Sequence, residues 1–363
     1  MKSFCVLNCA VTAAVAENIG AAVAVVLGGK LGVLYCGTDS SFETAQNIAK
    51  GIKKQGGCAV LAGAAFEAQT AFACKHYSLD GAIFVSGDKK CSISVCGADA
   101  TGLTGAQEEA VSELAAKDKL GGHRGGVTLV TDLDSAYYKH LLEAAQSLEG
   151  IAVSIKSENL LVKSQLSRTV LALGGENKGR TVFCLSPSGL CVSALDEYGK
   201  IHTRDELLSV IYALKITREK APVELAFSLS ESLDALAAEN GVEIKRSFVG
   251  GSELFARDSV CLSVEIMKYM SQIGCGLGEL CRLLPQTAVS RKSFYSSRDI
   301  LAVADSVECE HLVTDGSNVF ARVRGSNVLV TPNGTRGRYC LEVQAADSET
   351  AHEIALNLTD IFN

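Results

Sequence analysis

Gly32-Val33-Leu34-Tyr35-Cys36-Gly37-Thr38-Asp39-Ser40-Ser41-Phe42-Glu43 passes from one structural period to another within twelve residues. Gly32 to Cys36 is a short apolar run of strand length, and Gly37-Thr38-Asp39 turns the chain. Ser40 with Glu43 then forms a capping box that predicts a helix to about Lys54, stopped by Gly56-Gly57. The rhythm repeats: Cys58 to Leu61 reads as a strand, residues 65–77 as a helix, and Ala82 to Val85 as a third strand. A helix over about Gln107 to Leu120 carries Val111, Leu114 and Ala115 on one face. Strand–helix alternation of this kind predicts a parallel sheet covered on both faces.

Further along, Gly121-Gly122-His123-Arg124-Gly125-Gly126 reads as a linker, and Val127 to Val130 starts a new strand, followed by a helix over residues 135–148. Thr181 to Leu185 and Cys191 to Leu195 read as two strands joined by Ser186-Pro187-Ser188-Gly189. After the turn Asp196-Glu197-Tyr198-Gly199, Thr203 with Glu206 caps a helix containing Leu207, Leu208 and Ile211. A third unit starts near Val223, with helices around 231–239 and 258–273 and a strand from Val242 to Lys245. The last unit, from about Ser290, has strands near 311–313, 319–323, 327–330 and 339–344. It ends in a helix whose Ala351, Ile354, Ala355, Leu358 and Ile361 recur at helical spacing. The predicted architecture is α/β: three α/β/α units over 1–122, 123–220 and 221–289, then an α+β domain over 290–363.

Composition limits what such a chain does. Hydrophobic residues are 47% and charged residues 21% of 363, enough to bury cores and too apolar for disorder. A net charge of −7 argues against a nucleic-acid binder, which needs clustered Lys and Arg. The fourteen cysteines are dispersed, without a Cys-x-x-Cys pair, and read as buried reduced thiols in a cytoplasmic protein. Lys2, the apolar run and Ala14-Val15-Ala16 imitate a signal peptide, but the apolar pattern runs on past Glu17 as a packed helix would. No stretch approaches the roughly 20 apolar residues of a membrane span, so no membrane is expected. The six histidines show no metal-ligand spacing, and neither Gly28-Gly29-Lys30-Leu31-Gly32 nor Gly174-Gly175-Glu176-Asn177-Lys178-Gly179 has the form of a nucleotide loop.

Several strings, in order, resemble the α-D-phosphohexomutases, the family of phosphoglucomutases, phosphomannomutases and phosphoglucosamine mutases. Thr331-Pro332-Asn333-Gly334-Thr335, with Arg338 to Ala345 after it, is similar to the family's phosphate loop Arg-Pro-Ser-Gly-Thr-Glu-Pro and its succeeding strand. Asp80 to Val85 resembles the strand that leads into the catalytic loop. Gly97-Ala98-Asp99-Ala100 through Leu103-Thr104 to Gln107-Glu108-Glu109 resembles the segment on the far side of that loop. Asp196 to Ile201 with Asp205-Glu206-Leu207-Leu208 resembles the segment after the metal loop, and Arg257-Asp258 the end of the third domain. The resemblance implies the four-domain fold and, in an active member, Mg²⁺ and a phosphoserine that exchanges phosphate with a hexose phosphate.

This chain departs from the family at the positions that carry the chemistry. The resemblance places Gly87 of Ser86-Gly87-Asp88-Lys89-Lys90 where the family has its nucleophilic serine, with Ser86 one residue away. The three carboxylates of Asp-Gly-Asp-x-Asp-Arg fall on Ser186, Ser188 and Leu190, a set without the anionic oxygens a hard divalent cation needs. The sugar-recognition loop is shortened to a turn, of which Gly251-Ser252-Glu253 is the remnant, and the N-terminal Gly-Thr-Asp-Gly-Ile-Arg-Gly segment is missing. The phosphate loop is the least altered. Asn333, Gly334, Thr335 and Arg338 are its binding candidates, with Arg322, Arg324 and Arg336 as nearby charge.

The reading is a degenerate, N-terminally truncated member, folded but without mutase chemistry or cofactor, and acting as a non-catalytic module for a protein partner. The alternatives are a sensor that binds a phosphorylated sugar, and an active, Mg²⁺-dependent intramolecular phosphotransferase with a rebuilt site.

Overall fold

The computed structural model describes residues 11–88, 90–116, 125–284, 287–316, 318–333 and 337–362. The chain divides into two compact units, residues 1–202 with 252–275 and residues 203–251 with 276–363.

The first unit opens on the strand–helix alternation expected from Gly32 onward. Its first sheet contains β1 (Lys30–Tyr35), β2 (Cys58–Ala64), β3 (Gly81–Ser86), β4 (Ser92–Gly97) and β5 (Gly126–Leu129), in the order β4-β3-β1-β2-β5. All pair in parallel except β4, which returns antiparallel beside β3. Where the sequence pattern begins a second unit at Val127, the chain instead adds β5 to the edge of this sheet, in register with Cys58 to Leu61. Residues 121–124 of the glycine-rich linker lie outside the described residues.

Helices Ala13–Leu27 and Asp39–Lys54 cross over one face of the sheet. Ala16, Ile19, Val23, Ile48 and Ile52 meet Val33, Ile83, Val85 and Ile93 there. Their backbones touch at the crossing: a Cβ on Gly20 would overlap the Ile48 carbonyl, and one on Gly51 the Glu17 carbonyl. The second helix starts two residues earlier than Ser40 and Glu43 imply. Thr38 is its N-cap, the Thr38 hydroxyl accepting from the Ser41 amide and the Ser41 hydroxyl from the Thr38 amide. Gly37, at φ 87°, makes the bend directly before it, and an extended Thr38 then reaches the cap position first.

A second sheet of the same unit contains β6 (Ala152–Lys156), β7 (Glu176–Leu185), β8 (Val192–Leu195) and β9 (Ile201–His202). β6 and β7 are parallel, and β7, β8 and β9 form an antiparallel meander. Helices Leu160–Ala172 and Ser259–Ile273 lie against this sheet, and helix Leu133–Ala145 packs on both of them. β6 and helix Leu160–Ala172 were not marked by the sequence pattern. The strand is only five residues long, and Leu160 and Leu171 on the helix are exposed, which blurs its apolar stripe.

In the second unit, β10 (Val223–Ala226) and β11 (Ile244–Ser247) form a parallel pair with helices Arg204–Leu214 and Ser232–Asn240. Thr203 and Glu206 form the expected capping box. The C-terminal sheet is antiparallel, in the order β12-β16-β15-β14-β13. Its strands are β12 (Ala288–Tyr295), β13 (His311–Asp315), β14 (Asn318–Val323), β15 (Ser326–Pro332) and β16 (Arg338–Ala345). Helix Ser348–Phe362 packs Ile354, Leu358 and Phe362 over Val330, Leu341 and Val343. β12 escapes sequence reading because Ser290 and Lys292 occupy its inward positions and Val289 and Tyr295 point out, against the usual alternation.

Candidate functional site

The loop that the resemblance marks as catalytic, Gly87 to Cys91, joins two hydrogen-bonded antiparallel strands, β3 and β4, closed by the pair Ser86 and Ser92. Gly87 has φ 100°, a left-handed conformation open to glycine and strained for other residues. A Cβ there would also overlap the backbone carbonyl of Lys90. The site of the family's nucleophile therefore has no room for a serine side chain in this loop. Ser86 is half-buried at the end of β3, and its hydroxyl donates back to the Ser92 carbonyl at 3.4 Å. The loop is tied to the start of helix Asp39–Lys54. Thr38 Oγ1 donates to the Gly87 carbonyl at 2.8 Å, and Ser40 Oγ donates to the Asp88 carbonyl. Cys36 Sγ lies 3.7 Å from the Gly87 carbonyl. Burial pushes the Cys36 thiol up, but hydrogen bonds with Ser41 and Thr38 bring it below the ordinary thiol value.

Ser186, Ser188 and Leu190 share the hairpin between β7 and β8. Ser186 Oγ and Ser188 Oγ hydrogen-bond each other at 3.0 Å. Ser186 Oγ also accepts the Cys191 amide at 3.1 Å, and Ser188 Oγ the Leu190 amide at 3.3 Å. The hydroxyls thus close the turn on itself, as Ser does where it competes for backbone groups. Leu190 contributes no donor and lines a small cavity. Two neutral hydroxyls and an alkyl chain do not fit Mg²⁺, which takes carboxylate oxygens in octahedral geometry. Among the described residues no group of three or more His, Cys, Asp or Glu is placed to hold a metal.

The sugar-loop remnant is irregular backbone. The Gly251 amide donates to the Glu224 carbonyl at 2.9 Å, and Glu253 precedes a short 3₁₀ turn, Leu254–Ala256, its carbonyl accepting the Ala256 amide at 2.9 Å. Gly251 falls in one compact unit and Ser252 and Glu253 in the other. Of the phosphate-loop candidates, Gly334 and Thr335, like Arg336, lie outside the described residues. Asn333 and Arg338 stand at the two feet of the hairpin, the Asn333 amide donating to the Arg338 carbonyl at 2.8 Å, and Arg338 is exposed opposite Tyr295 on β12. Arg322 and Arg324 do not join them. They sit by the β14–β15 turn, at the other end of a seven-residue strand and so roughly 20 Å away. There they pair with Glu310 and Glu353.

Sequence reasoning did not foresee the cavity beside Leu190. Glu67, Thr70, Ser94, Cys96 and Arg257 line it with Leu190, on the face of β4 turned away from the crossed helices. Its volume is about 30 Å³, room for one or two water-sized molecules. The Ala68 amide donates to the Ser188 carbonyl at 3.0 Å and the Ser259 amide to the Gly189 carbonyl at 2.9 Å, so the hairpin is anchored beside it.

No protein-family model matches the sequence, and no curated protein matches it. Solved structures do. A phosphoglucomutase/phosphomannomutase family protein from Burkholderia thailandensis superposes with TM-score 0.77 at 14% identity, over 99% of this chain and 96% of that one. The phosphoglucomutase parafusin of Paramecium gives TM-score 0.62 at 10% identity, over 96% and 91%. The N-acetylphosphoglucosamine mutase of Aspergillus fumigatus, in complex with GlcNAc-6P and magnesium, gives 0.52 at 9% identity, over 96% of each chain. With near-complete coverage of both chains in each superposition, the chain has the fold of the α-D-phosphohexomutases.

Proposed function

We propose that this protein keeps the phosphohexomutase fold as a non-catalytic module that binds a protein partner and does not interconvert hexose phosphates. The observation that carries the reading is Gly87: in-line phosphoryl transfer needs a positioned hydroxyl, and the loop admits no side chain where the family places it. The self-bonded Ser186 and Ser188 support the same reading, with no cofactor required. The edge of the first sheet supports the partner: among the described residues nothing pairs with the outer side of β5, which exposes Val127 and Leu129 and carries no charge. A cytoplasmic location belongs to the proposal. It is supported by the twelve described cysteines, all free thiols, and by the lack of a described helix long and apolar enough to cross a membrane.

The test is a mutase assay with glucose and mannose 1-phosphates, glucose 1,6-bisphosphate and Mg²⁺, run beside thermal unfolding in the same ligands with Mg²⁺ or EDTA. Neither turnover nor a Mg²⁺-dependent shift is expected, and turnover overturns the proposal. A second reading, sugar-phosphate binding, rests on exposed Arg338 at the foot of its hairpin. It requires a shift that persists in EDTA and disappears in Arg338→Ala. A ligand at 100 times its Kd stabilises by about 2.7 kcal/mol, several degrees for a domain of this size. For the partner, Leu129→Glu is expected to lose a protein that co-purifies with the wild type.

A further inference from the structure

On the hairpin between β7 and β8, Phe183 pairs with Ala194, Cys184 with Ser193 and Leu185 with Val192. The Ser186 amide extends the ladder by one pair, donating to the Cys191 carbonyl at 2.9 Å, and Ser186 Oγ accepts the Cys191 amide at 3.1 Å. Side chains alternate along both strands. Phe183, Leu185, Val192 and Ala194 are buried, while Cys184 and Cys191 are exposed. The two thiols therefore stand on one face, on neighbouring strands and in adjacent rows. Such a diagonal separates the Cα atoms by about 7–8 Å, with the Cβ atoms closer. On the other side of Cys184, β6 holds Lys156 in register with it, also exposed.

We propose that Cys184 and Cys191 bind one soft monovalent cation of the Cu(I) class between their sulfurs, on the same hairpin that Ser186, Ser188 and Leu190 make unfit for Mg²⁺. Thiolate is the ligand type that selects Cu(I). Two thiolate–metal bonds of about 2.3 Å each bridge sulfurs up to about 4.6 Å apart. A direct disulfide needs Cα atoms within about 6.8 Å, so the diagonal favours a metal bridge over an S–S bond. The number of ligands narrows the choice of ion. Zn²⁺ takes four in a tetrahedron, and among the described residues no group of three or more His, Cys, Asp or Glu is placed to hold it. A filled-shell monovalent ion is satisfied by two thiolates in line. Binding releases both thiol protons to solvent and leaves the oxidation states unchanged. One cation and two thiolates leave a net negative charge, which the ammonium of Lys156 beside Cys184 offsets. The site goes beyond the partner-binding reading and does not depend on it.

The experiment titrates the reduced full-length protein with Cu(I), without oxygen, against bicinchoninate, a chelator that colours on taking up Cu(I). One equivalent of copper withheld from the chelator is expected, with two sulfur neighbours in X-ray absorption at the copper edge. Cys184→Ser and Cys191→Ser should each release that equivalent. The double variant Cys5→Ser, Cys9→Ser, whose positions lie outside the described residues, should keep it. Lys156→Glu should weaken binding about tenfold, as the loss of an outer partner does. A wild type that withholds no copper, or an equivalent that survives in the double variant Cys184→Ser, Cys191→Ser, overturns the proposal. Should a serine variant fail to fold, alkylation of the wild type decides. Bound Cu(I) is expected to protect Cys184 and Cys191 from iodoacetamide, read by peptide mass, and equal labelling with and without copper overturns the proposal.

Discussion

The hydroxyl of Tyr137 donates to Asp258 Oδ2 at 2.7 Å inside the first unit, where both side chains are fully enclosed. Asp258 Oδ1 accepts the amides of Val260 and Cys261, so one carboxylate caps helix Ser259–Ile273 and holds the tyrosine. Phe66 and Phe72 pack edge-on against the Tyr137 ring. Burial outweighs these hydrogen bonds and pushes the Asp258 carboxyl up to about 6.

A raised carboxyl is costly once ionised. Its favourable contribution is complete below its unfolded value near 4 and is lost as pH rises through about 6, a change of roughly 3 kcal/mol. Urea unfolding from pH 4 to 7 should show stability falling across that window, and Asp258→Asn should flatten the curve while keeping the cap. An unchanged slope in the variant would place the titrating group elsewhere.

Asp196 and His202 make the opposite case. Their side chains are buried, with His202 Nε2 3.0 Å from Asp196 Oδ2. Burial pushes the Asp196 carboxyl up, but His202 and the Lys200 and Tyr198 amides hold it below the ordinary value. Its contribution is present above the unfolded value near 4 and lost as pH falls through the lower folded one. Removing His202 leaves Asp196 Oδ2 buried without its partner while the Tyr198 and Lys200 amides keep Oδ1, so His202→Ala should cost about 1–3 kcal/mol by denaturant unfolding at pH 7.

Gly87→Ser tests the closed loop. Restoring the residue type of the family nucleophile should lower stability by about 1–3 kcal/mol and confer no phosphorylation by glucose 1,6-bisphosphate, read by intact mass. A stable, phosphorylated Gly87→Ser protein would show that the loop reopens.

The helix crossing predicts the largest packing loss. Gly51→Ala puts a methyl into the Glu17 carbonyl, and the helices must separate. A loss of about 1–3 kcal/mol or more is expected in chemical unfolding. Alanine at exposed Gly29, with nothing near its Cβ, is the control and should change little.

Much of the α/β order was readable because buried parallel strands are nearly continuous apolar runs, as Gly32 to Cys36 and Ala82 to Val85 are. The chain's departures at Gly87, Ser186, Ser188 and Leu190 were readable as residue types. Their consequences were not. That Gly87 is closed off depends on the return of β4, whose Ser92, Ser94 and Cys96 give it no clear apolar signal. Arg322 and Arg324 looked adjacent to the phosphate loop along the chain, but a hairpin puts neighbours in sequence at opposite ends of a strand. The assignment of Val127 to a new unit failed similarly, because a short strand does not declare its partner.

The order in which the two units take up the chain has a consequence for synthesis. The first unit stops at His202 and resumes at Ser252, after the second has begun. Helix Ser259–Ile273, which supplies Asp258 to Tyr137 at its cap, therefore leaves the ribosome well after the strands it will complete. At about 5–20 residues per second, the stretch from His202 to Cys275 takes roughly 4–15 s. During that interval Tyr137, Phe66 and Phe72 have no Asp258 to close over them, and their apolar surface is open to chaperones or to premature association. The nascent chain is most vulnerable at that stage, however stable the finished protein becomes.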